Sequence, residues 1–100
     1  MVDTVYQDLQ TPSHQWQRRF SADLDPQLLV WHRDHHNRRV CVLEGQGWQF
    51  QFDNQLPQPL EPGVVIDIPA EVYHRVIKGS GSLLLEIVEL ESSDPESRPL

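Results

Sequence analysis

Four of the chain's five histidines fall in two places. His32, His35 and His36 crowd the run His32-Arg33-Asp34-His35-His36, with Arg38 close behind, and His74 closes the stretch Pro62 to His74, which reads PGVVIDIPAEVYH. Imidazoles and carboxylates brought together suit a divalent metal such as iron, manganese, zinc or nickel. The same residues on an exposed strand end would be an ordinary polar surface. If residues 32–36 are extended, His32, Asp34 and His36 share one side and His35 points to the other. Each step of two spans ~6.6 Å, so His32 and His36 stand about 13 Å apart and could share one ion only across a bend or bulge. His74 reads equally as a ligand or as a buried histidine satisfied by a backbone carbonyl.

Other chemistries find no support. The chain has no glycine-rich phosphate loop, no paired-cysteine motif and no GxSxG elbow. Cys41 lies in an apolar run and reads as a small hydrophobe rather than a nucleophile. Tyr73 adjoins His74, but alternation on a strand sends the two side chains to opposite faces.

The elements that must position these residues are short strands. Val40 to Leu43, Trp48 to Phe52, Val64 to Ile68, Tyr73 to Ile77 and Leu83 to Leu90 are strand candidates. Leu28 to Trp31 reads as a strand that runs on into the polar segment ending at Arg39. Gly45 and Gly47 predict a tight hairpin into Trp48-Gln49-Phe50-Gln51-Phe52, whose strict alternation puts three aromatics on one face as core or dimer contacts. Leu56 to Leu60 holds two prolines, which confines it to an edge strand or connector. Asp23 to Pro26 is a turn, and residues 1–20 are an irregular or short-strand lead-in in which Trp16 and Phe20 could be anchors. No stretch has a sustained helical period, and strands at roughly 8–12-residue spacing argue an all-β sandwich or barrel.

One hundred residues make one domain of ordinary size. We expect a single barrel over residues 1–91 and a disordered tail over 92–100, which holds two prolines, two acids and three serines. Apolar residues make up 38% and charged residues 23%, a composition that folds. The net charge of −7 disfavours nucleic acid. One cysteine, no signal-like start and no long apolar run point to a cytoplasmic protein off the membrane.

The chain resembles the cupin superfamily of double-stranded β-helix, or jelly-roll, barrels. The family's second motif, G(x)5PxG(x)2H(x)3N, is met by Gly63, Pro69 and His74, while Glu71 and Lys78 replace the second glycine and the asparagine. Its first motif, G(x)5HxH(x)3–4E(x)6G, ends like Val42-Leu43-Glu44-Gly45-Gln46-Gly47. Counting back from Gly45 puts Arg38 at the family's glutamate, and His32 and Asp34 at its two histidines. The motif-bearing core covers about residues 28–88.

The resemblance implies a pocket inside the barrel lined by His32, Asp34, Arg38, Trp48 and His74. It implies a divalent metal (Fe, Mn, Zn or Ni) held by His32, Asp34 and His74, the two-histidine, one-carboxylate composition of non-haem iron enzymes, with His36 as substitute if the register shifts. Cupins include dioxygenases, isomerases, decarboxylases, storage proteins and sensor domains, so an oxygenase-like or isomerase-like activity on a small organic molecule is implied, in a homodimer. Arg38 keeps a second reading open, because a guanidinium repels a cation. In it Arg38 pairs with Asp34 or clamps a carboxylate or phosphate, making a metal-free ligand-binding or interaction module.

Overall fold

A computed structural model describes residues 6–9 and 14–90, so the expected tail lies outside the described residues. Among the described residues eight strands form: β1 (Tyr6–Leu9), β2 (Gln15–Phe20), β3 (Arg38–Gln46), β4 (Gln49–Phe52), β5 (Gln58–Pro59), β6 (Val65–Ile68), β7 (His74–Ile77) and β8 (Ser80–Glu89). They build two antiparallel sheets, β1-β2-β8-β3-β6 and β5-β4-β7, and no α-helix appears among the described residues. The architecture is all-β.

Alternation decides what faces inward. On β6, Ile66 and Ile68 are buried while Val65 and Asp67 are exposed. On β8, Leu83, Leu85 and Ile87 turn into the core, and they sit against Phe20, Val42 and Val40 of the neighbouring strands. Burying each such side chain contributes about 1.5–3 kcal/mol. The proline-rich stretch behaves as its missing donors require, since β5 is two residues long and lies at the outer edge of the three-stranded sheet. The lead-in is made of short strands. Trp16 stands opposite Ile87 and Phe20 opposite Leu83, so both are anchors on the inner face of β2.

Two expectations fail. Residues 38–46 and 49–52 do not form a hairpin with each other, because β3 pairs with β6 and β8 while β4 pairs with β5 and β7. The turn at Gly47, which takes φ +74°, hands the chain from one sheet to the other. A corner between sheets and a hairpin share the same alternation and the same glycines, so the local pattern cannot separate them. Leu28 to Trp31 is not a strand either. Asp25 Oδ1 accepts from Gln27 N at 3.0 Å and Pro26 opens a single 3-10 turn, Pro26–Leu28. That turn chemistry overrides the apolar run. The chain then touches a sheet only through one isolated bridge, His32 to His74.

Candidate metal centre and ligand cavity

β3 and β8 run side by side, and Arg38 faces Glu89 at one end of the pair while Gln46 faces Ser80 at the other. The polar residues gather at the Arg38 end. His74 is placed there by the start of β7, and His32 by the bridge, in which His32 N donates to His74 O at 3.0 Å and His74 N to His32 O at 2.9 Å. Asp34 is held by its own carbonyl, which accepts from Glu71 N at 2.7 Å. Asn37 Oδ1 accepts from Ala70 N at 2.7 Å and ties down the end of the same segment.

These anchors bring one ligand atom each from His32, Asp34 and His74 within 4.8 Å of one another. His74 Nε2 lies 3.4 Å from Asp34 Oδ2, and the two imidazoles meet edge to face with centroids 4.3 Å apart. Phe50 stacks on His74 at 5.4 Å. His74 is only 3% exposed, and its burial pushes the imidazole below its ordinary value. The hydrogen bond to Val72 opposes that shift, His32 and Arg38 reinforce it, and Asp34 opposes it. His74 is therefore a neutral base at neutral pH.

Which nitrogen carries the proton follows from the partners. His74 Nδ1 is 2.9 Å from the carbonyl oxygen of Val72, and His32 Nδ1 is 3.3 Å from that of Val30. A carbonyl only accepts, so Nδ1 of each ring carries a proton, and in neutral His74 the lone pair lies on Nε2. Asp34 Oδ2 is buried and has no hydrogen-bond partner among the described residues. The Nε2 lone pair of His74 thus faces Asp34 Oδ2 with no proton between them. With His32 the cluster offers two imidazoles and a carboxylate, a composition that fits a divalent first-row metal.

Arg38 sits against this set rather than in it. Its Nη1 is 3.1 Å from Asp34 Oδ1, and its Nη2 donates to Glu89 Oε2 at 3.4 Å. The other histidines stand outside. His36 is exposed and faces Glu89 at 3.6 Å, so it does not substitute for a member of the cluster. His35 is exposed and pairs with Glu71 at 2.9 Å, an interaction that lowers the Glu71 carboxyl below its usual range.

A cavity of about 380 Å³ opens beside the cluster, lined by His32, Asp34, Arg38 and His74 at its polar end. Leu29, Val30, Phe50 and Leu85 are among its apolar walls. Trp48 is not part of it. It is 1% exposed, buried in the core, and its Nε1 donates to Gly81 O at 3.3 Å. Trp48 and Phe50 share an alternation face, but only Phe50 reaches the cavity. Sequence reasoning missed Arg18, which lines the cavity, and Glu89, which holds Arg38. Strand parity could have found both, since Arg18 shares a face with Trp16 and Phe20, and Glu89 with Leu85 and Ile87.

No protein-family model matches the chain, and no curated protein matches it. Solved structures do. A cupin-2 domain containing protein from Shewanella frigidimarina aligns at 20% identity over 84% of this chain and 78% of its own, with a TM-score of 0.60. Fe(II)-HppE with the alternative substrate (S)-1-HPP aligns at 24% identity, covering 85% of this chain and 48% of that one, with a TM-score of 0.62. A chain from the structures of the DMSP lyases RdDddP and RnDddQII aligns at 22% identity, TM-score 0.64, over 78% of this chain and 38% of its own. The chain has the cupin fold. It spans less than half the length of the lyase and HppE chains.

Proposed function

We propose that the cavity binds a divalent first-row metal through His32, Asp34 and His74, and a small organic ligand beside it. The observation that carries this reading is the convergence of one ligand atom each from His32, Asp34 and His74 within 4.8 Å, with Asp34 Oδ2 buried and without a hydrogen-bond partner among the described residues. The likeness to a structure of Fe(II)-HppE supports it at the level of the fold. Arg38 does not block the site in this reading. It anchors Asp34 Oδ1 and leaves Oδ2 free, as a residue behind a metal ligand does. Val30 O and Val72 O fix the imidazole tautomers in the same way. A bound metal would supply a Lewis acid that polarises a ligand oxygen. Phe50 and the apolar wall would exclude water from it.

Elemental analysis of protein purified without a histidine tag tests the site. We expect close to one equivalent of metal, a rise in melting temperature on adding iron, manganese, zinc or nickel, and loss of both in His74→Ala. Less than about a tenth of an equivalent, with no thermal shift for any of the four, sinks the reading.

A second reading is favoured by the Arg38–Asp34 ion pair at 3.1 Å, which neutralises the carboxylate without a metal. The protein is then a ligand-binding or interaction module that performs no metal chemistry. Metal uptake by Arg38→Glu where the wild type takes none selects it. In both readings we place the protein in the cytoplasm, away from nucleic acid, as a homodimer like other cupins. The outer edge of β6, unpaired among the described residues and with Val65 exposed, supports pairing. Light scattering that returns the 11.6 kDa monomer removes the dimer.

A further inference from the structure

Apart from its histidines, the cavity wall carries charge on three described residues, Arg18, Asp34 and Arg38. Two guanidiniums thus face one carboxylate, inside a protein whose net charge is −7. Both flank the same indole, with Arg18 Cζ 5.9 Å and Arg38 Cζ 5.2 Å from the Trp16 ring centroid. They differ in how fully their donors are engaged. Arg18 forks onto Asp8, with bonds of 2.7 and 3.1 Å, and also stacks over Tyr6 at 3.6 Å. Arg38 makes one long hydrogen bond to Glu89 and a single-atom contact to Asp34, and its Nε has no partner among the described residues. A guanidinium offers five N–H donors in a fixed fork, and although Nε is buried, the Nη groups of Arg38 keep N–H bonds beyond those aimed at Asp34 and Glu89 where the residue lines the cavity. An anion would engage those N–H groups, whereas the charge of Arg18 is already met by Asp8.

The rest of the wall says what the anion is attached to. Leu29, Val30, Phe50, Leu85 and Ile87 offer no hydrogen bonds from their side chains. A sugar or polyol would lose its hydrogen bonds to water against them, whereas an apolar body gains from burial. We propose that the cavity takes a small organic anion, its carboxylate or other oxyanion head on Arg38 and its apolar body against Leu29, Val30, Phe50 and Leu85. The inference rests on the reading of this cavity as a ligand site, and it holds with or without a metal on Asp34.

Titration calorimetry with matched probes tests it, on the full chain in chelator and again after zinc addition. Benzoate, 3-phenylpropanoate and phenylphosphonate are compared with benzamide, 3-phenylpropanamide and benzyl alcohol. The anions should bind at least about tenfold more tightly than their neutral partners, and in Arg38→Met the ratio should drop below about twofold. Equal binding of acid and amide, binding of neither at millimolar concentration, or an undiminished preference in folded Arg38→Met overturns the proposal. Should Arg38→Met fail to fold, the Arg38 Nε–Hε resonance of the wild type decides. It should move on adding benzoate and stay put with benzamide, and a resonance unmoved by benzoate overturns the assignment. Metal content is measured separately on the same samples. Metal retained without anion preference overturns only the anion, and anion preference without metal overturns only the metal.

Discussion

At one end of the β3–β8 pair Trp48 is wedged where the chain crosses between sheets, and at the other end Asp34 and Arg38 hold partly matched charges beside His74 around a cavity. The first end is closed by contact. A Cβ on Gly45 would lie 2.7 Å from Leu83 Cδ1, and one on Gly79 would run into the backbone of Gln46, Gly47 and Trp48. The second end has a firmly bonded backbone but leaves side-chain groups incomplete, with 3.4 Å from Arg38 to Glu89 and, among the described residues, no bond to Asp34 Oδ2. Packing that leaves no room fixes a backbone, while polar groups left incomplete are what a ligand can complete. Stability and recognition are thus separated along one pair of strands.

Two substitutions probe that separation, and the closed end gives the larger effect. Gly79→Ala places a methyl among backbone atoms that cannot swing aside as a side chain would. It should cost more than about 3 kcal/mol in urea denaturation, the upper end for overpacking, or prevent folding. A loss below about 1 kcal/mol would show that the crossover is loosely packed and erase the contrast between the ends.

At the open end the expected effect is smaller and depends on pH. Burial holds His74 below its ordinary value, so in metal-free protein the unfolded chain binds a proton near pH 6.5 that the folded chain refuses. Stability should therefore rise with pH between the lowered folded value and the ordinary one, and flatten above it. Denaturation midpoints of the wild type and His74→Gln, measured in chelator from pH 5 to 8, isolate the contribution. A difference between them that grows as the pH falls from 6.5 would mean that His74 is stabilised as a cation, and the sharp distinction between a neutral site and a charged one would be lost.

The same division explains how much could be read from the sequence. Ile66 and Ile68 are legible because alternation on a half-buried strand needs no knowledge of its partners. His74 is legible because Gly63 and Pro69 punctuate the approach to it at fixed spacing. Leu28 to Trp31 is no strand because a few apolar residues cannot outweigh the Asp25-Pro26 cap that precedes them. Gly45 to Phe52 is no hairpin because glycines and alternation report a turn between extended segments, not which sheet the second segment joins. Trp48 lies in the core, as its alternation suggests, and not in the cavity that the family resemblance implies for it. His32 and Asp34 do come together with His74, but not through strand parity. The segment carrying them is no strand, and the bridge to His74 and the bond from Glu71 set their positions.

Glu71 carries one more consequence. It stands where the cupin motif has glycine, and it still adopts the left-handed backbone of a glycine, with φ 68°. Its side chain meanwhile holds Arg33 at 3.4 Å and His35 at 2.9 Å, and its amide holds Asp34 O at 2.7 Å. A motif is usually compared letter by letter, and by that measure this position is lost. Compared as a dihedral angle it is present, with a tether added to the residues on either side of Asp34. Two chains can therefore spell a turn differently and draw the same curve, and a search by letters alone passes over the second.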